Sequence, residues 1–305
     1  MPEVNIGGIE PTISNPIEPE NVSLKIGDTE DLEEKGLTQE EINDANKISV
    51  SLSNTRVPIV VLFGAPACGK TMTLVRLTRY LKKEGYIVSP VRSFRPNYDT
   101  HYTKMCEGFD QMISSDKAAD STSKVSFMLV DVIKNGKTLC QILEAPGEYY
   151  FNKKDPTADF PAYVHAITAS NNRKIYTIIV EPDWENESDR LNYVDKIGKL
   201  RLSMRPNDRT IFMFNKIDKT NFLIGPGRVH MSEAKSNVEF LYPGIFAKFR
   251  NQNPITRFLT PYLCEFLAFQ TGTYNRANDG TFAYTTGPDE YPRNYWKLIL
   301  DSIKG

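Results

Sequence analysis

Apolar residues along this chain of 305 residues come in short continuous runs separated by polar stretches, with helical stripes between some of them. Val57 to Phe63, Ile175 to Val180 and Ile211 to Phe214 are such runs, and their length and continuity predict strands buried on both faces. Between the second and third, Asp189 to Met204 sets Leu191, Val194, Ile197, Leu200 and Met204 on one helical face. The order strand, helix, strand predicts a mainly parallel sheet covered on both sides. Val125 to Ile133 and Lys137 to Leu143 are β-rich and meet at Asn135-Gly136, a hairpin signal that turns one strand antiparallel to its neighbour. Lys70 to Lys83 and Pro292 to Ile303 read as helices, with Gly85 stopping the first. Tyr86 to Val91 reads as a short strand or extended connection, and Leu263 to Phe269 as the last strand. Ser93 to Lys124 shows no clear period and predicts a long loop. The expected fold class is α/β: three layers, with a mostly parallel sheet and one antiparallel strand from the hairpin.

Charge changes this picture at one end. Residues 1–50 hold twelve acidic and three basic side chains, so this stretch carries −9 and the remainder +8. It is also rich in Pro, Asn and Gly and poor in aromatics, which predicts a flexible or loosely docked acidic arm ahead of one domain over 51–305. Within it, Thr38 followed by Glu41 matches a capping box and allows a short helix over Thr38 to Lys47. Pro2, Glu3 and Asn5 are unlike a signal peptide, and no run of eighteen apolar residues suggests a membrane span. Cys68, Cys106, Cys140 and Cys264 form no C-x-x-C pair and no metal-ligand spacing with His101, His165 or His230. Free thiols in a reducing cytoplasm are expected. The basic body lacks aromatic interleaving, so no nucleic-acid partner is expected.

The candidate chemistry begins directly after the first apolar run. Gly64-Ala65-Pro66-Ala67-Cys68-Gly69-Lys70-Thr71 fits G-x-x-x-x-G-K-[ST] and joins a predicted buried strand to a predicted helix. Such a loop turns backbone N–H groups inward around a triphosphate. Gly64, Ala67, Cys68, Gly69, Lys70, Thr71 and Met72 are therefore the candidate phosphate-binding residues. Lys70 would reach the β- and γ-phosphates, and the Thr71 hydroxyl would coordinate Mg²⁺. Cys68 could be a reactive thiol near a helix start, but a small residue accommodated by loop packing is the simpler expectation.

Asn215-Lys216-Ile217-Asp218 follows the Ile211 to Phe214 strand, at the edge where open α/β sheets bind nucleotides. Guanine presents N1–H and a 2-amino group side by side, and one carboxylate can accept from both. Asp218 would thus select guanine over adenine. Asn215 would bind the purine's acceptor edge and brace the phosphate loop, with the Lys216 stem over base or ribose.

These two motifs, with a hairpin ending in Glu144-Ala145-Pro146-Gly147, resemble the translation-factor-related and Ras-like class of P-loop GTPases over Val57 to about Thr273. Among its branches the chain also looks like the bacterial double-GTPase families. The resemblance implies a six-stranded G domain that binds GTP or GDP with Mg²⁺, two switch segments, and a protein effector or activating partner. The family's D-x-x-G then corresponds to Glu144 and Gly147, giving Glu144 a place in the Mg²⁺ shell and Gly147 contact with the γ-phosphate. Glu148 stands where many relatives carry a glutamine that orients the attacking water. A carboxylate there can accept from water but repels the γ-phosphate, which puts hydrolysis in doubt. Thr122 has the spacing of the switch threonine, with Ser121, Ser123, Thr100 and Thr103 as competitors. The last base-contacting loop corresponds to Phe269-Gln270-Thr271-Gly272 in preference to Ser232-Glu233-Ala234-Lys235. Arg92 and Arg95 are candidates for an internal arginine finger, against a plain solvated basic loop. Asp183 reads as part of a helix-initiating turn with Pro182.

Three functions compete at this point: a GTP-binding switch with slow or partner-assisted hydrolysis, a P-loop ATPase or nucleotide kinase, and a nucleotide-locked scaffold. The second requires Tyr86 to Val91 to be a parallel second strand.

Overall fold

Five consecutive apolar side chains with no polar face need cover on both sides, and in the computed structural model of the protein Ile59–Phe63 forms strand β1 with all five buried. The structure describes residues 38–114, 127–276 and 282–304. The further strands are β2 (Ile87–Pro90), β3 (Met128–Lys134), β4 (Lys137–Glu144), β5 (Lys174–Val180), β6 (Arg209–Phe214), β7 (Leu223–Gly225), β8 (Arg228–Val229), β9 (Glu265–Ala268), β10 (Gly272–Arg276) and β11 (Phe282–Thr286). Seven of them make one sheet in the order β2-β3-β4-β1-β5-β6-β9, while β7-β8 and β10-β11 are separate hairpins. Strand β1 runs parallel to β4 and β5, and the parallel set continues through β6 to β9. Only β3 is reversed, pairing antiparallel with both β2 and β4. Its turn is the expected one: Asn135 and Gly136 both have positive φ, 51° and 73°, as a two-residue type I′ hairpin requires.

The helices are α1 (Gln39–Asn43), α2 (Lys70–Lys83), α3 (Thr100–Ser114), α4 (Gly147–Tyr150), α5 (Ala162–Ala169), α6 (Glu187–Ser203), α7 (Met231–Leu241) and α8 (Glu290–Lys304). They cover both faces. On one side Thr177 of β5 meets the Tyr295 hydroxyl of α8 at 2.7 Å, and α2 packs between α8 and α3. On the other, Phe63 stacks on Tyr193 of α6 at 6.1 Å and lies 4.7 Å from the Tyr150 ring. The chain is therefore a three-layer α/β fold, as expected from its sequence.

Three expectations change. The sheet has seven strands where the resemblance implied six, and the addition is the edge strand β2. This strand runs in the same direction as β1 but lies at the sheet edge and pairs, among the described residues, only with the reversed β3, so it makes none of the parallel pairing that the ATPase or kinase reading needs. Residues 93–124 are not a bare loop: a 3-10 turn at Arg92–Phe94 and the fifteen-residue helix α3 occupy the part described. Tyr102, Met105, Cys106, Phe109 and Ile113 line its buried stripe, and Asp99 caps it by accepting from the Tyr102 N–H at 2.8 Å. The stripe was hidden because Tyr and Cys count weakly as apolar signals. Finally, the last part of the acidic arm is docked. Thr38 and Glu41 form the expected capping box, and Glu41 and Ile48 are only 4% and 5% exposed, so residues 38–50 belong to the folded body.

Candidate functional site

The loop 64–69 leaves the carboxyl end of β1 and enters α2 through backbone geometry that few residues accept. Ala67 has φ +62° and Gly69 φ +92°. A Cβ on Gly69 would lie 2.4 Å from Asn215 Nδ2, so this glycine is required both by its left-handed turn and by the approach of the second motif. Asn215 in turn donates to the Cys68 carbonyl at 2.9 Å. The two motifs read separately in the sequence thus touch. Cys68 is 1% exposed, and burial pushes its thiol up despite the nearby Lys70, which fits a packed loop residue and opposes a reactive thiolate.

Lys70 begins α2 and is 5% exposed. Its ammonium donates to the carbonyls of Gly64 at 3.1 Å and Ala65 at 3.0 Å. Among the described residues no carboxylate lies within ion-pair distance of it. A buried cation facing only carbonyl oxygens is an unbalanced charge, and such groups are ordinarily paired.

The hairpin's end sits opposite. Glu144, 1% exposed, accepts from the Thr71 hydroxyl at 3.1 Å and from the Phe127 backbone N–H at 3.0 Å. Two hard oxygen donors from positions 73 residues apart are thereby brought together, a donor set that suits Mg²⁺. Among the described residues no group of three His, Cys, Asp or Glu side chains could hold a metal alone, so any ion here would also rely on phosphate and water oxygens. Phe127 has φ +65°, a left-handed backbone that costs a bulky residue about 1–2 kcal/mol. Thr122, Ser121 and Ser123 lie outside the described residues. Of their competitors, Thr103 donates to the Asp99 carbonyl at 3.1 Å on α3.

Gly147 faces the loop. A Cβ there would meet Pro66 N at 2.4 Å, the Ala65 carbonyl carbon at 2.5 Å and Lys70 Nζ at 2.6 Å. Gly147→Ala must therefore push α4 away from the phosphate loop. We expect it to weaken triphosphate binding by at least about tenfold while lowering stability by about 1–3 kcal/mol as an overpacked site, measured by nucleotide titration alongside a thermal melt. Glu148 has its Oε2 buried. Its charge adds to burial in raising the hydroxyls of Tyr149 and Tyr163.

At the base end, Lys216 adopts φ +55°, and Asp218 lies exposed in the 3-10 turn Ile217–Lys219. The Ile217 N–H donates to the Phe269 carbonyl at 3.2 Å, which brings the Phe269–Gly272 loop beside the motif. Gln270 and Thr271 are buried, and the Tyr284 hydroxyl holds the Thr271 carbonyl at 2.6 Å. Ser232–Lys235 instead lies in α7, with the Lys235 ammonium over the Phe246 and Tyr262 rings. Two carboxylates escaped sequence reasoning as members of this site. Lys216 is paired with Glu181 and reaches Asp183 at 3.4 Å, and Lys219 also pairs with Asp183. Burial raises the Glu181 carboxyl, with Lys216 pulling the other way. Burial opposes the charge of Lys216, but Glu181 and Asp183 outweigh it and hold the ammonium protonated. The available signal was position: Glu181 directly follows the last residue of β5, on the same carboxyl edge as both motifs.

Arg95 is neither a solvated loop residue nor a finger aimed at phosphate. Its side chain is fully buried between Glu41 and Asp99. Arg92 reaches Glu107 at 3.8 Å on the surface. All four cysteines are free, and no helix of the described residues is long and apolar enough to cross a membrane.

No protein-family model matches the chain, and no curated protein matches it in sequence. Among solved structures it is similar to a nucleolar GTP-binding protein 1 from Plasmodium falciparum, with 14% identity over 84% of this chain and 90% of that one and a TM-score of 0.40. It is also similar to the signal recognition particle receptor SRb-GTP/SRX complex from Chaetomium thermophilum, at 12% identity over 81% and 99% with a TM-score of 0.40. A third is the GTPase-like domain of S. cerevisiae Ski7 bound to GDP and inorganic phosphate, at 14% identity and a TM-score of 0.36, where 81% of this chain spans half of that one.

Proposed function

We propose that the protein is a magnesium-dependent guanine-nucleotide-binding protein of the P-loop GTPase class, a switch whose hydrolysis is slow or completed by a protein partner, working in a reducing cytoplasm. The observation that carries this reading is the buried Lys70 ammonium, which among the described residues donates to the Gly64 and Ala65 carbonyls and pairs with no carboxylate. An anionic phosphate would supply the missing charge. The backbone N–H groups of 67–71 and the start of α2 would bind the same phosphates. Thr71 and Glu144 would hold Mg²⁺, which when bound neutralises phosphate charge. Asp218 would accept both guanine donors, and Asn215 would hold the loop to the base motif. Gln270 and Thr271 would close the base pocket, and Gly147 would present its N–H to the γ-phosphate.

Glu148 favours keeping the nucleotide-locked scaffold as a second reading, because a carboxylate in the glutamine position is a poor guide for the attacking water. One experiment separates the two. Nucleotide released by denaturing the purified protein is identified, and GTP turnover is then followed in Mg²⁺ for wild type and Glu148→Gln. Recovery of GDP with measurable turnover supports the switch. Recovery of GTP, with turnover that rises about tenfold or more only in Glu148→Gln, supports the scaffold, and recovery of adenine nucleotide removes both.

A further inference from the structure

From Glu144 a series of contacts leads outward through Phe127 and Arg95 to the N-terminal segment. Glu144 accepts from the Phe127 N–H at 3.0 Å. The Phe127 ring is clamped by Phe94 at 5.5 Å, Tyr163 at 5.3 Å and the Arg95 guanidinium, whose central carbon lies 5.2 Å from the ring centroid. Every nitrogen of that guanidinium is engaged: Nε with Asp99 at 2.8 Å, one terminal nitrogen with Glu41 at 2.6 Å and the other with the Ser49 carbonyl at 2.7 Å. Glu41 is the hub of the arm. Its carboxylate also accepts from the Thr38 N–H at 3.0 Å and the Ser49 N–H at 3.3 Å. Two of the three partners of Arg95 thus come from residues 38–50, and they fix the height at which the guanidinium sits over Phe127.

We propose that Arg95 is a positioning residue through which docking of residues 38–50 is coupled to the Thr71–Glu144 pair, so that the arm and magnesium-nucleotide binding reinforce each other. The physical basis is that Phe127 holds a left-handed backbone with a bulky side chain, φ +65°, which persists only where its surroundings impose it. Releasing Glu41 frees Arg95, relaxes the ring and withdraws the N–H that orients one oxygen of Glu144. The other oxygen, at Thr71, then loses its fixed direction. Coupling of this kind is reciprocal: whatever the arm does for the ion, the ion does for the arm. The inference rests on the guanine-nucleotide reading above.

The test uses the full chain and the fluorescent nucleotide mant-GDP, whose release is timed in Mg²⁺ and in excess EDTA for wild type and Glu41→Gln. We expect release in Mg²⁺ to quicken about fivefold or more, within the ordinary range of such couplings, and release in EDTA to change less than about twofold. Unchanged release in Mg²⁺, or equal acceleration in both, overturns the inference, because a merely structural role would not distinguish the two conditions. Amide exchange of residues 38–50 in the wild type needs no variant and decides the matter if Glu41→Gln does not fold. Slower exchange with mant-GDP and Mg²⁺ than with mant-GDP and EDTA is expected, and equal exchange overturns the coupling. A wild type that binds no mant-GDP overturns the reading of the site itself and the inference with it, whereas binding without coupling removes the inference alone.

Discussion

Lys70→Ala abolishes useful triphosphate binding while the protein stays folded. Among the described residues Lys70 donates to the Gly64 and Ala65 carbonyls, which water can serve in its place. Its removal also takes a buried charge out of the loop, so the free protein should melt within a few degrees of wild type, or above it. The bound state has no such substitute. Truncating one member of a buried hydrogen-bonded charge pair costs about 2–5 kcal/mol, which at about 1.4 kcal/mol per decade is roughly 30- to 4,000-fold in affinity. The upper end is expected here, because Lys70 would face two phosphates. Titration of GTP by calorimetry, paired with a thermal melt of the free protein, checks both halves. Full affinity in a folded variant would remove Lys70 from the phosphate site.

Asp218→Asn should exchange guanine for xanthine. The carboxylate is exposed in the turn after β6, so the substitution leaves stability within about 0.5 kcal/mol, as is usual for such positions. Its charge nonetheless reaches Tyr291, adding to burial in raising that hydroxyl. An amide oxygen can accept from guanine N1–H, but its NH₂ opposes the 2-amino group. Xanthine offers a 2-oxo acceptor there instead. With hydrogen bonds to a charged group contributing about 1.5–3 kcal/mol each, GTP affinity should fall roughly 10- to 100-fold and xanthosine triphosphate should become the better ligand. Competition between the two triphosphates for a fluorescent nucleotide measures the ratio. A variant that still prefers guanine as wild type does would end the role given to Asp218.

How far the sequence could be read depended on whether a feature is contiguous. β1, the glycine loop and α2 lie within 59–83, and their apolar run, glycines and helical stretch sit side by side. The hairpin at Asn135-Gly136 is equally local. Asn215–Asp218 could be found because it follows an apolar strand, and Asn215 donates to the Cys68 carbonyl of the loop as the sequence reading expected. The features that escaped depend on partners distant in sequence. The nearby Asp99 alone does not mark Arg95 for burial, since that also needs Glu41, 54 residues earlier. Glu181 became part of the base end only when the sheet set β5 beside β6. Helix α3 was obscured because its stripe is built from Tyr102, Met105 and Cys106 as much as from Phe109 and Ile113.

The ion pair between Arg76 and Asp289 bears on when the site can form. Arg76, on the helix that follows the phosphate loop, is 2% exposed and donates to the Gly287 carbonyl at 2.6 Å and to Asp289 at 2.8 Å. Lys83 on the same helix pairs with Asp289 as well. A guanidinium buried without those acceptors would destabilise the helix, and the base motif itself is made well over a hundred residues after the loop. At ordinary rates of synthesis, roughly 5–20 residues per second, a nascent chain carries an incomplete phosphate helix for on the order of ten seconds or more. On the proposed reading, nucleotide capture would therefore wait until the segment around Asp289 has been made.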